Sequence, residues 1–182
     1  MGRIKVHEFI TLDGVIEDPR WTFDYDFDPK MAQAIGDLTA AADGILLGRH
    51  TFEMFAPAWR DRTAEDDPGA PFFNDTQKYV VSGTLESAAG WQNSTIVGAY
   101  DAQTLRDLKE GMDGDLYVSG SGVLVRGMLA DGLVDEVHLF VFPLTLGAGQ
   151  RLFGEGDELK LAPVETEAYD SGVVHLAYGP AE

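Results

Sequence analysis

The stretch from Asp115 to Val141 leaves this chain few architectures to choose from. Leu116, Tyr117 and Val118 form a short apolar run that ends at Ser119, Gly120, Ser121 and Gly122. A strand of a parallel sheet reads this way, because helices cover both of its faces and leave it no polar side. Apolar positions then recur at helical spacing, with Val125, Met128 and Leu129 on one side. Gly132 ends that helix, where a left-handed residue costs least if it lacks a Cβ. An extended pattern resumes from Val134 to Phe142, with Val137, Leu139 and Val141 alternating with His138 and Phe140.

The turn of this strand–turn–helix–strand unit is where chemistry can enter. A helix N-terminus presents unpaired backbone N–H groups and the positive end of the helix dipole. Gly120 and Gly122 let a bulky anion approach that backbone, and the Ser121 hydroxyl can donate as well. Phosphate suits such a place. The glycines match neither the G-x-G-x-x-G fingerprint nor a G-K-[ST] loop. On its own, the stretch reads equally as a glycine-rich connection that holds nothing.

Charge narrows the ligands. A formal net charge of −18 over 182 residues repels polyanions, so neither nucleic acid nor an acidic membrane surface is an expected partner. An anionic ligand then needs a local basic exception. The chain has no cysteine, which removes disulfides, thiol catalysis and thiolate metal sites. With no leader pattern and no apolar run of membrane length, the expectation is one cytoplasmic domain over residues 1–182.

In chain order, Ile4, Val6, Phe9 and Ile10 make a first strand that runs into a loop with turn signals at Asp13-Gly14 and Asp18-Pro19. Trp21, Phe23 and Tyr25 alternate with acids, either as a surface loop or as the wall of a ligand pocket. Asp28-Pro29 has the form of a helix cap followed by proline at the first helical position. The helix reaches about Ala42, with Met31, Ile35 and Leu38 inward. Asp43-Gly44 reads as a turn before a short strand, Ile45 to Leu47. That strand runs straight into Gly48, Arg49, His50 and Thr51, which supply the basic exception. Arg49 can pair bidentately with phosphate or join a surface ion pair, and Thr51 can donate its hydroxyl or cap the helix.

Ala56 to Asn74, broken by Pro57, Pro68 and Pro71, reads as an irregular flap. Further strands follow at Lys78 to Ser82 and Ser94 to Val97, and a helix from Asp101 to Lys109. After the central unit, Pro143 to Gln150 reads as a glycine-punctuated turn. A hairpin then closes the chain, from about Leu159 to Ala168 and Val173 to Tyr178. The expected fold is α/β: a three-layer, mostly parallel mixed sheet with helices on both faces and a C-terminal antiparallel hairpin. Ligands of such sheets sit outside the carboxyl ends of the strands. Ser82, Gly48 to Thr51 and Ser119 to Gly122 all fall there.

Taken together, these residues resemble a known family. Leu47-Gly-Arg-His-Thr-Phe-Glu resembles the glycine-arginine-x-threonine motif of dihydrofolate reductases, and Val118-Ser-Gly-Ser-Gly resembles their later glycine pair. Gly132-Leu-Val-Asp-Glu-Val-His-Leu and Pro143-Leu-Thr-Leu-Gly-Ala-Gly are similar to the reductase domain of bacterial riboflavin-biosynthesis proteins and its small stand-alone homologues. The resemblance runs from Ile4 to about Tyr178. It implies a dihydrofolate reductase-like fold, a homodimer, and a nicotinamide cofactor, usually NADPH, with NADH as the unphosphorylated alternative. By this resemblance Gly48, Arg49, His50 and Thr51 take phosphates of the cofactor, and Gly120, Ser121, Gly122 and Val123 hold its pyrophosphate. Ser82 lies by the adenosine ribose, while Asp13, Gly14 and Ile16 lie near the nicotinamide. Many relatives carry arginine where this chain has Gly83, which removes one partner for a ribose phosphate.

Hydride transfer asks a protein for placement, a dry pocket and a proton source. Asp13 is the first candidate for that source, with an Asx turn as its other reading and Asp26 and Asp28 as alternatives. His7, His50, His138 and His175 are scattered and form no metal motif. The expected activity is hydride transfer to a small pterin- or pyrimidine-like substrate. The competing expectation is a nucleotide-binding or interaction module without turnover.

Overall fold

The computed structural model describes residues 1–154, 156 and 158–181. Eight strands form one sheet: β1 (Ile4–Thr11), β2 (Ala42–Gly48), β3 (Gln77–Val81), β4 (Ser94–Gly98), β5 (Asp115–Ser119), β6 (Glu136–Phe142), β7 (Leu161–Ala168) and β8 (Val174–Pro180). Among the described residues five α-helices join them, α1 (Pro29–Ala40), α2 (Arg49–Trp59), α3 (Ala70–Asp75), α4 (Ala102–Glu110) and α5 (Gly122–Ala130), with a 3-10 helix at Pro19–Asp24. The strand order is β4-β3-β2-β5-β1-β6-β8-β7. Every pairing from β4 to β6 is parallel, and the β7–β8 hairpin adds antiparallel pairs at one edge. The mixed α/β sheet read from the sequence is therefore the observed one.

Alternation along the strands builds a core on each face. Ile4, Val6 and Ile10 of β1, Leu116 and Val118 of β5, and Val137 and Leu139 of β6 pack with Leu105 of α4 and with Val125, Met128 and Leu129 of α5. Ile45 and Leu47 of β2 and Tyr117 of β5 face the other way, onto Leu38 of α1 and Phe52 and Ala56 of α2. Phe140 and Phe142 continue that second face under Met31 of α1. Helices thus cover both sides, and the central strands need no polar face.

Three local expectations change. The sequence places a turn at Asp43-Gly44, but β2 runs through both residues with a register shift between Ala42 and Gly44. A Cβ on Gly44 would meet the Met112, Leu116 and Tyr79 side chains at 2.8–3.0 Å, so this glycine serves close packing. The supposed flap from Ala56 to Asn74 is largely ordered: α2 continues through Pro57 to Trp59, and α3 follows. Asn74 holds the segment by donating to the carbonyls of Trp59 and Arg62 and accepting from the Trp91 indole at 2.7 Å. Lys78, fully buried, donates to the carbonyls of Phe73, Asn74 and Thr76 and so caps α3. Finally, Leu159 and Lys160 precede β7 instead of starting it. β7 is an edge strand carrying Pro163, a register shift at 163–165, and the acids Glu165 and Glu167.

His7, His138 and His175 are buried on the α1 side of the sheet. His138 Nδ1 lies 3.0 Å from His175 Nε2, and His138 Nε2 lies 3.0 Å from Glu136. Burial pushes all three rings below the usual histidine range, His7 to about 3, with the neighbouring imidazoles adding to the shift on His7. Unfolded histidines bind protons from about pH 6.5 downward, so the unfolded state gains more protons there and stability falls with pH. Thermal melts should show Tm dropping between about pH 7 and about pH 5. His7→Gln, which keeps a hydrogen-bonding group opposite Tyr117, should flatten that drop; an unchanged slope would exclude His7 as a contributor.

Candidate active site

The carboxyl ends of β1, β2, β3 and β5 share one rim because these strands are parallel neighbours or next neighbours in the sheet. Two helices, α2 and α5, start directly from that rim. Neither has a side-chain N-cap, whereas Asp28 caps α1 by accepting from Lys30 N–H and Asp101 caps α4 by accepting from Thr104 N–H. The first N–H groups of α2 and α5 thus lack the side-chain partner that α1 and α4 have, as do those of the six-residue α3.

The two starts touch. Ser121 Oγ accepts the Gly48 N–H at 2.8 Å and donates to Thr51 Oγ1 at 2.7 Å. This single hydroxyl ties segments 73 residues apart in the chain. Ser121 reaches both partners because its backbone is left-handed, at φ 70, as is that of Gly120 at φ 71. A Cβ on Gly120 would lie 3.3 Å from Thr51 Oγ1, which adds a steric reason for glycine there.

The other sequence-derived site residues fall around this latch. Thr51 is buried, His50 is exposed, and Val123 stands 70% exposed on the first turn of α5. Ser82 Oγ accepts the N–H groups of Thr84 and Leu85, so it shapes the turn after β3. Arg49 reaches that turn, donating to Thr84 Oγ1 at 3.0 Å, with Glu53 at 3.7 Å. Gly14 is left-handed at φ 83, and Ile16 leans over the start of α5. A Cβ on Gly122 would come within 2.7 Å of the Ile16 methyl, so the loop after β1 covers this helix start closely.

That loop is held by a segment the sequence reads only as a turn. Leu12 N–H donates to Leu144, Ile16 N–H donates to Gln150, and Val15 bridges Arg151. Asp13 is the anchor: its carboxylate accepts from Thr11 Oγ1 at 2.6 Å, Gly147 N–H at 2.7 Å and Leu146 N–H at 3.2 Å. The Thr11 hydroxyl, followed by these backbone donors, pulls its carboxyl down to about 2. An acid held ionised in this way is the reverse of a proton source, and the reading of Asp13 as a loop-organising turn residue fits its surroundings. Asp28 caps α1, which gives it structural work as well. Among the described residues, no group of three His, Cys, Asp or Glu is placed to hold a metal ion.

Glu8 is the ionisable residue that sequence reading misses. It lies inside the apolar first strand, 4% exposed, with its carboxyl near the Gly120 N–H and Oε1 buried without a hydrogen-bond partner. The only signal in the sequence is an acid in mid-strand. A cavity of about 480 Å³ opens elsewhere, between α1 and the β6–β8–β7 edge. Lys5, Lys30, Glu136 and Glu167 line it and pair with one another, and no uncapped helix start faces it, so volume is a poor guide to the site here.

The order and direction of the strands give the dihydrofolate reductase-like fold class, and solved structures share the architecture. One from Shewanella sp. PV-4, provisionally assigned to riboflavin biosynthesis, superposes with a TM-score of 0.80 at 24% identity, covering 99% of each chain. The diaminohydroxyphosphoribosylaminopyrimidine deaminase/5-amino-6-(5-phosphoribosylamino)uracil reductase of Thermotoga maritima gives 0.68 at 18% identity, over 99% of this chain and 57% of its own. Within that class the chain belongs to the RibD C-terminal domain family, whose model matches residues 3–175. It is 30% identical over 184 residues to Uncharacterized protein YyaP of Bacillus subtilis (strain 168), covering 97% of this chain and 94% of that one.

Neutralising the anchor should loosen the cover without unfolding the sheet. Asp13→Asn is expected to speed amide hydrogen exchange at Leu146 and Gly147 by about tenfold or more, read by NMR or mass spectrometry. Unchanged protection at those two amides would show that the carboxylate does not hold the loop.

Proposed function

We propose that this protein is a nicotinamide-dependent reductase that binds NADPH across the latched helix starts and passes hydride to a small planar substrate. The observation that supports this best is the Ser121 hydroxyl, which bonds to both Gly48 and Thr51 and so joins two anion-binding segments into one. The residues present suit such a cofactor. Backbone N–H groups at Gly48 to Thr51 and Gly120 to Val123 would meet its phosphates at the positive ends of α2 and α5. Arg49 would supply the cationic side chain. Its bond to Thr84 sets the guanidinium beside Gly83, where it can serve a ribose phosphate despite the missing neighbouring arginine. A side chain at 83 has little room in any case, since a Cβ there would lie 3.1 Å from that of Ala99. Gly14 and Ile16 would cover the nicotinamide end.

The bound cofactor supplies the hydride; the chain supplies orientation and exclusion of water. A planar heteroaromatic substrate, pterin- or pyrimidine-like, is favoured by the aromatic wall near the carboxyl ends of β1 and β6. Trp21 and Tyr25 each meet Phe142 edge-on at 5.3 Å, and Phe9 meets it at 5.6 Å. Phe23, 84% exposed, stands outside that wall. One observation favours the second reading, a nucleotide-binding module without turnover: the first candidate acid, Asp13, is held ionised.

Titration of NADPH fluorescence should give a dissociation constant that Ser121→Ala and Arg49→Ala each raise by about tenfold or more. Unchanged affinity in both variants would remove the assigned site. NADPH oxidation with reduced-pterin and aminopyrimidine acceptors separates the two readings: turnover with either supports the reductase, and tight binding with none supports the module.

A further inference from the structure

We propose that Glu8 governs the glycine loop through its charge: in its neutral form it supports an anion on the loop, and in its ionised form it repels one. The inference rests on the cofactor reading above. Glu8 lies on β1 one step beyond the His7–Ser119 pair, which brings its carboxyl under Gly120. The Gly120 N–H is near enough to that carboxyl to favour its charged form, and Gly120 and Ser121 make the left-handed turn that carries Ser121 to Gly48 and Thr51. Among the described residues no arginine or lysine balances it, and Oε1 is enclosed with no hydrogen-bond partner. An unpaired carboxylate is costly in such a place, whereas a carboxylic acid is tolerated there. Burial accordingly pushes Glu8 up to about 8, against the weaker opposing pull of the Gly120 N–H.

The groups around it leave this acid alone to change charge near neutrality. Tyr117, from β5, feels Glu8, and its phenol is pushed further up by burial and by that neighbour, so it stays neutral. His7 and His138, on β1 and β6, are held neutral by burial. The residues of α5 in the adjoining core are Leu124, Val125, Met128 and Leu129, while Arg126 is directed to the carbonyl of Arg151. Arg151, in the covering loop, is committed to the carbonyl and carboxylate of Asp13. When Glu8 loses its proton, the new negative charge therefore lies beneath the loop with nothing to compensate it. Charges a few ångströms apart in a poorly solvated region interact strongly, so a phosphate on the outer side of the loop is the group that feels it.

The test uses the full-length protein, NADPH and NADH, and Glu8→Gln, which keeps the shape and an acceptor for the Gly120 N–H but cannot ionise. Wild-type affinity for both nucleotides should fall by about tenfold or more between about pH 7 and about pH 9.5, while E8Q should stay nearly flat. Ionisations of the nucleotides themselves are common to both proteins and cancel in the comparison. Parallel pH curves for the two proteins overturn the proposal, as does failure of E8Q to fold, because the amide reproduces the neutral acid.

A second readout needs no ligand. An acid whose folded pKa is raised loses stability as pH climbs from its unfolded value to its folded one. E8Q should therefore melt above wild type at about pH 9, with the gap closing toward about pH 5. A constant gap overturns the proposal. If the gap behaves as expected but neither nucleotide binds at any pH, the cofactor reading has failed and takes the proposal with it, while Glu8 remains a neutral buried acid.

Discussion

A hydroxyl group with one donor and two acceptor sites can join two segments only if each lies within about 3 Å of it. Ser121 meets that demand toward Gly48 and Thr51, and much of the site's geometry follows from it. Backbone in the left-handed region at Gly120 and Ser121 aims the hydroxyl across from β5 to β2. These two strands are sheet neighbours, so the helices that follow them start side by side. Their first N–H groups have no side-chain caps, and the positive ends of two dipoles meet at one place. In a chain of net charge −18, that concentration of partial positive charge is the local exception an anionic ligand requires.

What the sequence reveals and what it hides divide along the range of the interactions. Asp28-Pro29 and Asp101 announce helix starts through bonds to residues two or three positions away, and both are found as read. Gly120 and Gly132 mark turns for the same reason, since backbone shape at a left-handed glycine is a local matter. Gly44 misleads because its role is set by Met112, Leu116 and Tyr79, each more than thirty positions off. Order in residues 56–74 is equally hidden, because it comes from Asn74, Trp91 and Lys78 bonding back across the segment.

The candidate site shows the same division. Its half proposed to bind an anion is legible as two glycine-opened helix starts. Its covering half is not, because Asp13 finds its partners at Leu146 and Gly147, 133 and 134 positions later. Without those partners an aspartate in the loop after β1 looks like an acid catalyst; with them it is an ionised anchor. Glu8 is the converse case, an unremarkable strand residue until its neighbours deny it both water and a cation. Environment, more than residue type, decides which carboxyl keeps a proton.

The position of β1 has a consequence for how the molecule is made. β1 sits between β5 and β6, both of which follow it in the chain, and its register begins with Ile4 beside Leu116. More than a hundred further residues must be synthesised before that strand has either partner. Until then Ile4, Val6 and Ile10 lie open, and the loop closures required are long, which slows folding and lengthens exposure to aggregation and to chaperones. The Ser121 latch is correspondingly late to close, since Ser121 follows Gly48 by 73 residues.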